Sequence, residues 1–576
     1  MPKTAAMSLR ICVLQINPLV GAVQSNTEKI RDLMRKNADN VDLFVTPELA
    51  IIGYSPRDLL SQPALIQAEQ QALEVLRQET AELEVGLLIG HTEAHAKTSR
   101  SLLNVATLYD KGYSLGRIRK RRIPYYDIFE EDRFFESWEE NDQHPLVFRG
   151  TKIGINICED AWWEIRRYGI ADAAMTRYGD LLHTQHEGAE LILNLSASPF
   201  AIGKPMRRLE IFSKHCEENR CPLVFASCAG AQDEILFDGH SFALNSDGSL
   251  ASIAKNFEED LLFLSFDRGK WGSCSGATDL PEDDWNYVLA GLQKGIEDYV
   301  HKTGFEKIHL GLSGGIDSAL VAYLAAEALG PENVYAISMP TKFNSEATKN
   351  DARMLAEKLG IHFEEIPISD ILNQSAKTMK LEGTGLAFEN LQSRIRGMTL
   401  MTQSAVHGSL VLATGNKSEF AMGYATLYGD MCGAIAPIGD LYKTQVFELC
   451  HHIQNSKGRP FPPELLSRPP SAELAEGQTD NQSLPDYFIL DVLLEDWIEN
   501  QGLHEEVLRA FLKDISQYKG PLDFDKLRRT FMNNEFKRTQ AAPILKLQAR
   551  SFGSGWRMPL AKKLQTGRDL SFHCAR

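Results

Sequence analysis

The chain has 576 residues and a formal net charge of −16, from 61 Lys and Arg against 77 Asp and Glu. This acidic excess argues against general nucleic-acid binding, which needs a basic surface to displace counterions. A hydrophobic content of 43% excludes a mostly disordered chain. Because a single core stops growing near roughly 250–300 residues, two to four domains are expected.

The cysteine pattern and the absence of long apolar runs indicate the cellular compartment in which the protein is expected. Nine cysteines without a C-x-x-C pair indicate a reduced, cytoplasmic protein rather than a disulfide scaffold or a zinc protein. The start MPKTAAMSLRICVLQINP has no apolar signal core. No apolar run approaches the roughly 18 residues of a membrane helix, so no membrane partner is expected.

The first half of the chain alternates short β-branched runs with longer amphipathic stretches, which predicts an α/β fold. The predicted strands are Leu9–Ile16, Val41–Thr46, Val85–Ile89, Val105–Tyr109, Lys152–Ile157, Leu191–Leu195 and Leu223–Ala226. Helical spacing covers Asn26–Asn37 and Ser61–Leu83. From Gly239 to Phe266 the pattern predicts strand–turn–strand, with Asp247-Gly248 as a hairpin signal.

Three residues near predicted strand ends stand out in this half: Glu48, Lys120 and Cys158. Singly, each has an ordinary explanation: a helix cap, a solvated basic run and a buried core cysteine. Together they supply a nucleophile, a base to activate it and a cation for a developing oxyanion.

Their surroundings resemble the carbon–nitrogen hydrolase (nitrilase) family, which carries a Glu–Lys–Cys triad. NLSASPF (194–200), Gly203-Lys204 and QDEILFDG (232–239) extend the match over roughly the first 270 residues. The resemblance implies a nitrilase-like αββα sandwich. PELAIIGYSPRDLL and QDEILFDG are most similar to the glutaminase domains of glutamine-dependent NAD synthetases.

That resemblance implies roles for six residues. Cys158 would attack the glutamine amide, Glu48 would act as general base and then acid, and Lys120 would stabilise the tetrahedral intermediate. The residues expected to hold the α-amino and carboxylate groups of glutamine are Tyr126, Ser198 and Lys204.

One departure from the family pattern follows the lysine. Where the family usually has L-P-N-Y-G-V-F-D-E, this chain has residues 123–131 as IPYYDIFEE, so Tyr125 and Asp127 replace a small polar residue and a glycine. The departure puts the conformation of this loop and the affinity for glutamine in question. Glu131 keeps the position of a possible second carboxylate.

The polar, acidic stretch from Lys270 to Asp284 is the best linker candidate, which gives domains at 1–270 and 285–576 with a linker at 271–284. The alternation then resumes and predicts a doubly wound parallel sheet. Its predicted elements are helix Trp285–Lys302, strand Ile308–Leu312, helix Ser318–Leu329, strand Val334–Ser338 and helix Ser345–Leu359. The Pro-rich region Lys457–Leu484 is expected to be a mobile functional loop.

A glycine-containing loop, SGGIDS (313–318), lies between the predicted strand Ile308–Leu312 and an apolar helix. Its backbone N–H groups and the helix N-terminus can cradle a phosphate. It lacks the lysine of a Walker A motif, and Asp317 places a carboxylate where a metal ion is needed beside phosphates. The ordinary alternative is a tight turn with Asp317 as a helix cap.

The loop resembles the pyrophosphate-binding signature of the ATP-pyrophosphatase family, which has a Rossmann-like fold. Nearly all of the second half is similar to NAD synthetases, through these segments: ENLQSRIRG (389–397), TGNKSE (414–419), GYATLYGD (423–430), PIGDLYK (437–443) and PSAEL (470–474). The family adenylates the nicotinate carboxylate of deamido-NAD with ATP and Mg²⁺, and ammonia then displaces AMP.

Carried over by position, the resemblance implies three sets of binding residues. The expected ATP contacts are Gly311, Leu312, Ser313, Gly314, Gly315, Ile316, Asp317, Ser318, Arg394, Thr414 and Lys443. The expected deamido-NAD contacts are Asn390, Glu419 and Lys537. Asp317, Glu419 and Ser471 are the expected magnesium ligands.

The chain is therefore expected to be a glutamine-dependent NAD synthetase with channelled ammonia and a homodimeric or higher assembly. Another amidotransferase with the same loop, such as a GMP or asparagine synthetase, is less compatible with a glutaminase nucleophile at Cys158. A non-catalytic scaffold is a third alternative, but the triad and Asp317 are all present.

Overall fold

The computed structural model describes residues 8–95, 102–140, 142–162, 186–280, 284–482, 484–500, 504, 507–511 and 523–562. It divides the chain into two compact units. Unit 1 comprises residues 1–307, 324–333 and 545–549, and unit 2 comprises residues 308–323, 334–544 and 550–576. Residues 1–7, 281–283 and 483, which belong to the expected signal-free start, the linker and the Pro-rich loop, lie outside the described residues.

The strands are numbered in chain order. They are β1 Leu9–Gln15, β2 Leu43–Val45, β3 Gly86–Ala94, β4 Leu102–Asp110, β5 Tyr113–Arg119, β6 Leu146–Phe148, β7 Thr151–Ile157, β8 Leu191–Ser196, β9 Leu223–Ser227, β10 Ala229–Gln232, β11 Ile235–Asp238, β12 Phe242–Leu244, β13 Leu250–Ile253, β14 Asp260–Asp267, β15 Lys270–Cys274, β16 Ile308–Gly311, β17 Val334–Ser338, β18 His362–Glu365 and β19 Leu410–Val411.

The helices are numbered in the same way. They are α1 Val23–Asn37, α2 Pro63–Glu82, α3 Lys204–Asn219, α4 Asp284–Lys302, α5 Ile316–Leu329, α6 Glu346–Leu359, α7 Ser369–Thr378, α8 Leu386–His407, α9 Lys417–Met422, α10 Lys443–Ser456, α11 Pro463–Ser467, α12 Tyr487–Ile498, α13 Phe524–Asn533 and α14 Glu535–Arg538. Within the part of the chain that the structure describes, no helix combines the length and the apolar content that a bilayer crossing requires.

Unit 1 contains two main sheets, with strand orders β15-β14-β1-β2-β3-β4-β5 and β13-β12-β9-β8-β7-β6. Alternate side chains point to opposite faces of a strand. Ile11 and Val13 of β1 therefore pack with Ile155 of β7 in a core between the sheets, whereas Cys12 and Leu14 pack on the other face with α1 and α2. Helix α3 covers the outer face of the second sheet. The predicted αββα sandwich is confirmed.

The sequence pattern missed one strand near the end of the first sheet of unit 1. The segment expected to start a linker, Lys270–Cys274, is β15 and pairs antiparallel with β14 at the edge of the first sheet. Its residues KWGSC contain no β-branched run, so the sequence pattern gave no strand signal. The edge strand forms because β14 offers a free row of backbone donors and acceptors. The expected hairpin at Asp247-Gly248 is present between β12 and β13.

Unit 2 is built on a parallel sheet with strand order β18-β17-β16-β19, so the predicted doubly wound arrangement is confirmed. Because β16 comes first in the chain and β19 last, the strand order reverses between these two neighbours. Ligands of doubly wound sheets bind beyond the carboxyl ends of the strands at this reversal. Residues 312–318 follow β16, and residues 412–419 follow β19, so both lie at this position.

The Pro-rich region contains more structure than expected. Helix α11 lies within it, and Phe461 and Leu465 are buried at 1% and 2% exposure. Burial of these two apolar side chains holds the segment in place within unit 2.

Candidate active sites

The candidate thiol site of unit 1 lies at the ends of strands from both sheets. Glu48 follows β2, Lys120 follows β5 directly, and Cys158 follows β7 directly. All three side chains are buried. The structure therefore brings together the three predicted triad residues, which are separated by up to 110 positions along the chain.

Lys120 lies between two carboxylates. Its Nζ is 2.7 Å from Glu48 Oε1 and 2.8 Å from Glu131 Oε2. Burial opposes the charged amine, but Glu131 and Glu48 outweigh that effect and raise the pKa of Lys120 well above its ordinary value. Burial raises the pKa of Glu131 to about 7, although the charge of Lys120 opposes the shift. The lysine is therefore a permanent cation at this site.

Glu48 is held by three donors. Its Oε1 also accepts a hydrogen bond of 2.7 Å from Asn104 Nδ2, and its Oε2 accepts one of 3.1 Å from the backbone N–H of Ala197. These contacts fix the carboxylate in one orientation.

Cys158 begins a short 3₁₀ turn and has a left-handed backbone with φ 44°. A non-glycine residue rarely adopts this conformation, and such strain is concentrated at functional sites. Burial, together with the charge of Glu48, raises the pKa of the Cys158 thiol well above its ordinary value. The raised pKa favours the neutral thiol, so a base would be needed to form a thiolate.

Asp160 fixes the turn after Cys158. It was not among the predicted site residues. Its Oδ1 accepts hydrogen bonds from the backbone N–H groups of Arg121 and Arg122, at 3.0 and 2.9 Å, and its Oδ2 accepts one from Ile157. Asp160 thus joins the turn of the thiol to the loop after Lys120. Its position two residues after the cysteine was the only available sequence signal.

The predicted glutamine contacts surround a further carboxylate, Glu159. The hydroxyl of Tyr126 donates to Glu159 Oε2 at 2.9 Å, and the charge of Lys204 acts on the same carboxyl group. Lys204 Nζ also donates to the carbonyl oxygen of Pro199 at 2.6 Å. Ser198 is buried two residues after β8. Glu159 was missed because a charged residue beside a cysteine has no distinctive spacing.

Unit 2 has a cavity of about 270 Å³ at the reversal of strand order. Its lining includes these predicted residues: Gly311, Leu312, Ser313, Gly314, Gly315, Ile316, Asp317, Ser318, Thr414, Glu419, Lys443 and Ser471. Gly314 has φ 83°, and a Cβ there would lie 2.1 Å from the Thr348 carbonyl oxygen. The loop therefore requires glycine at this position for both its conformation and its packing.

Two carboxylates in this cavity share one ammonium group. Lys443 Nζ contacts Asp317 Oδ2 and lies 3.3 Å from Glu419 Oε1. Burial opposes the charge of Lys443, but Asp317 and Glu419 outweigh it and raise its pKa. Burial raises the pKa of Glu419 to about 8, with Lys443 opposing and Asp317 adding to the shift.

Asn416 orients both carboxylates and was also missed. Its side-chain oxygen accepts from the Glu419 backbone N–H at 3.0 Å and caps α9, while its Nδ2 donates to Asp317 Oδ1 at 2.8 Å. The pattern Asn-Lys-Ser-Glu is a capping-box signature, so the cap itself was readable from the sequence. The contact with Asp317, 99 positions away, was not.

The donor set fits a magnesium ion that arrives with a nucleotide. Asp317 and Glu419 both contact the Nζ of Lys443, so two hard oxygen donors lie close together. Among the described residues no ready-made group of three metal-binding side chains is found. Mg²⁺ commonly uses one or two carboxylates and completes its shell with phosphate oxygens and water. The Ser471 hydroxyl donates to the Gln478 carbonyl oxygen.

Three predicted contacts lie apart from the lining of this cavity: Arg394, Asn390 and Lys537. All three hold the segment 423–427. Lys537 Nζ donates to the carbonyl oxygens of Gly423 and Ala425 at 2.6 and 2.8 Å. Arg394 Nε donates to Leu427 at 3.2 Å, and Asn390 Oδ1 accepts from Thr426 at 2.8 Å. Their assignment to ligand binding stays a prediction.

Two arginines that line the cavity were not predicted. Arg396 donates to the Met339 carbonyl oxygen at 3.2 Å, and burial lowers its pKa to about 10. Arg468 Nη1 donates to the Gly314 carbonyl oxygen at 3.4 Å and Nη2 contacts Asp351. Arg468 lies in the Pro-rich region, where no periodic pattern identifies inward-facing residues.

Comparison with known proteins assigns the two units. A carbon–nitrogen hydrolase family model matches residues 10–275, and an NAD synthase family model matches residues 288–541. Glutamine-dependent NAD(+) synthetase from Synechocystis sp. is 40% identical over 563 residues, which cover 96% of this chain and 98% of that protein. The chain belongs to the glutamine-dependent NAD(+) synthetase family.

Other members of the family agree with this assignment. The enzyme from Thermotoga maritima is 36% identical, with 97% of this chain and 99% of that protein covered. The structure of glutamine-dependent NAD+ synthetase from Acinetobacter baumannii in complex with ADP is 32% identical and has a TM-score of 0.72, with 96% and 98% of the two chains covered. The predicted family and the two predicted fold types are confirmed.

Proposed function

We propose that this chain converts deamido-NAD, ATP, glutamine and water into NAD, AMP, pyrophosphate and glutamate. The observation that carries the proposal is that one chain holds two sets of reacting groups. Unit 1 has Cys158 with Glu48 and Lys120, and unit 2 has the loop 313–318 with Asp317, Glu419 and Lys443.

In unit 1, Glu48 takes the proton of the Cys158 thiol as sulfur attacks the side-chain amide carbon of glutamine. Lys120, held as a cation by its two carboxylates, stabilises the negative charge on the amide oxygen. Glu48 then gives its proton to the leaving nitrogen, and ammonia departs. Water, deprotonated by Glu48, hydrolyses the thioester to glutamate.

The contacts around Glu159 support the orientation of glutamine. A buried carboxylate beside the nucleophile can accept the α-ammonium group, and the nearby cation of Lys204 can pair with the α-carboxylate. Tyr126 and Ser198 would add hydroxyl groups around the bound glutamine. These groups would place the amide, and not the α-carboxylate, at Cys158.

In unit 2, the loop 313–318 would cradle the ATP phosphates, and the nicotinate carboxylate would attack the α-phosphate to release pyrophosphate. Asp317 and Glu419, with Ser471, would hold Mg²⁺, which when bound neutralises phosphate charge. Lys443 stays protonated beside them and can balance the charge that develops on the departing pyrophosphate. Ammonia then attacks the acyl-adenylate and displaces AMP. Channelling of ammonia from Cys158 is part of the proposal.

The test supplies the protein with ATP, Mg²⁺ and deamido-NAD, together with either glutamine or ammonium. Wild-type protein should form NAD and AMP from both nitrogen sources. Cys158→Ala should abolish NAD formation from glutamine and leave the ammonium reaction intact, whereas Asp317→Ala should abolish both. If Cys158→Ala still formed NAD from glutamine, the assignment of Cys158 as the nucleophile would be refuted.

A matched control for the thiol is Cys216→Ala, which removes another buried cysteine from the core of unit 1. It should retain both reactions. If no NAD forms from either source while another acid is amidated, the substrate assignment fails.

We further infer that the enzyme is cytoplasmic and forms a homodimer or a higher oligomer. Large apolar side chains on α8 support self-association, because Met398, Met401 and Val406 are 52%, 49% and 69% exposed. Sedimentation analysis should therefore give at least twice the chain mass of 64.4 kDa. A monomer at micromolar concentration would refute the assembly.

A further inference from the structure

Asp127 occupies a conformation that most side chains avoid. It lies in the loop between Lys120 and Glu131 and has φ 55°. Glycine adopts a positive φ without steric cost. Aspartate tolerates the left-handed region better than most other residues, but still less readily than glycine. The carboxylate at this position therefore calls for an explanation through its contacts.

The carboxylate pairs with Lys546 inside the protein. Asp127 Oδ2 lies 3.0 Å from Lys546 Nζ, and the two side chains are only 7% and 5% exposed. Lys546 Nζ also donates to the carbonyl oxygens of Gln548 and Ala549, at 2.7 and 3.0 Å. Lys546 thus donates to two backbone carbonyl oxygens, and its charge is paired with Asp127. Loss of one partner from such a buried pair leaves an uncompensated charge.

Lys546 belongs to the segment Leu545–Ala549, which is part of unit 1 although it lies more than 200 positions beyond α4. Its backbone holds two more loops of the thiol site. The Lys546 N–H donates to the Glu234 carbonyl oxygen at 2.9 Å, and the Leu547 carbonyl oxygen accepts from the Ile202 N–H at 2.8 Å. One short segment therefore ties together the loops at 125–131, 198–204 and 232–235.

Each of the first two loops carries proposed glutamine contacts. Tyr126 is adjacent to Asp127, and its hydroxyl donates to Glu159 beside the nucleophile. Ser198 and Lys204 flank Ile202 in sequence. Displacement of the loop at Asp127 would move the Tyr126 hydroxyl away from Glu159. The carboxylate of Glu48 is held by Asn104 and the Ala197 N–H, which lie outside this loop.

We propose that the Asp127–Lys546 pair positions the glutamine-binding loop of unit 1, so that these two residues set the affinity for glutamine without taking part in the chemistry. The inference rests on the proposed glutaminase function of this site. Both residues act through Tyr126 and the loops around it, and are therefore positioning residues rather than catalytic ones.

The test is a comparison of glutamine-driven and ammonium-driven NAD formation in Asp127→Asn, Lys546→Met and the double variant. The KM for glutamine should rise about tenfold in each single variant, since a displacement near 1 Å costs up to about 100-fold in rate at a positioned site. The kcat at saturating glutamine and the whole ammonium reaction should stay near the wild-type values. The double variant should be no worse than the worse single variant, because the two residues act as one pair.

Two further variants separate positioning from a general loss of structure. Lys546→Arg keeps the cation and should bring the KM for glutamine back towards the wild-type value. Asp42→Asn weakens two other ion pairs of unit 1, with Arg10 and Arg149 at 3.0 Å each, and should leave the KM for glutamine unchanged.

An unchanged KM for glutamine in both single variants would overturn the inference. So would an equal loss of the ammonium reaction, because that would show damage beyond the glutamine site. A wild-type protein that forms NAD from ammonium but never from glutamine would instead refute the proposed glutaminase function.

Discussion

At the scale of single residues, two buried glutamates of α2 have pKa values that move in opposite directions. Burial raises the pKa of Glu69 to about 7, and hydrogen bonds from Thr92 offset only part of this shift. Burial acts on Glu79 in the same direction, but Arg35 and Arg31 outweigh it and lower its pKa. Glu69 is therefore protonated in the folded protein under mildly acidic conditions, whereas Glu79 stays ionised.

Glu69→Gln should flatten the dependence of stability on pH. A folded pKa of about 7 against an ordinary value of 4.5 means that protonation of Glu69 favours the fold at low pH. This contribution is lost as pH rises through 7. Between pH 5.5 and 8.5 wild-type protein should lose about 2 kcal/mol that the variant does not lose. Urea midpoints measured across this range give the difference.

The matched control is Glu79→Gln, on the same helix. Because the pKa of Glu79 is lowered, its ionised form prevails throughout this pH range, and the substitution should shift the midpoints by a constant amount. A wild-type pH dependence that Glu69→Gln leaves unaltered would contradict an ionisation of Glu69 near neutral pH.

The same scale shows what the sequence could reveal about the sites. Local sequence motifs contain Cys158, Lys120 and Asp317, so the chemical role of each could be predicted from its neighbours in sequence. Asn416, Asp160 and Lys546 act through partners that are 99, 39 and 419 positions away in the chain. Only the folded chain brings such pairs together, so their spacing in sequence carries no periodic or motif signal.

At the scale of elements, the loop after β16 depends on one glycine. Gly314→Ala should abolish NAD formation from both nitrogen sources, because its Cβ would lie 2.1 Å from the Thr348 carbonyl oxygen and φ is 83°. The backbone strain alone costs about 1–2 kcal/mol, and the clash adds a displacement of the loop. Binding of ATP, measured by calorimetry, should be lost together with the reaction.

Gly408→Ala provides the matched control within unit 2. This glycine also has a positive φ, 61°, but a Cβ there meets no atom within 4 Å. It should lose some stability and keep its affinity for ATP. Equal loss of ATP binding in both variants would show that strain, rather than the close approach to Thr348, explains the effect.

Prediction of elements succeeded where the residue pattern was strong. Leu191–Ser196, Val334–Ser338 and α4 agree with the expected elements to within a residue or so, because apolar β-branched runs and helical spacing mark them. Strands β5 and β15, with sequences YSLGRIR and KWGSC, lack such runs. They form through pairing with neighbouring strands, which is a property of the sheet and not of the segment.

At the scale of the whole molecule, we propose that one chain carries out two reactions and that ammonia passes from the first site to the second. A mixture of separately purified Cys158→Ala and Asp317→Ala proteins tests this transfer. Glutamine should support much less NAD formation in the mixture than in wild-type protein, because ammonia released by one molecule is diluted before it reaches another. NAD formation at matched site concentrations is the measurement.

Two controls make the mixing experiment decisive. Asp317→Ala must release glutamate from glutamine, which shows that ammonia is made. Added ammonium must restore NAD formation in the mixture, which shows that the synthetase site of Cys158→Ala works. NAD formation from glutamine at half the wild-type rate or more would exclude channelling.

The raised pKa of the Cys158 thiol affects how well the activity of the enzyme survives oxidative stress. Peroxide and alkylating agents react with thiolates, and far more slowly with protonated, buried thiols. Because burial and the charge of Glu48 raise the pKa of the Cys158 thiol, and the side chain is buried, we expect this sulfur to be oxidised slowly in the absence of substrate. An enzyme that makes a redox cofactor would thus lose little of its own reactive thiol to oxidation when oxidants are abundant.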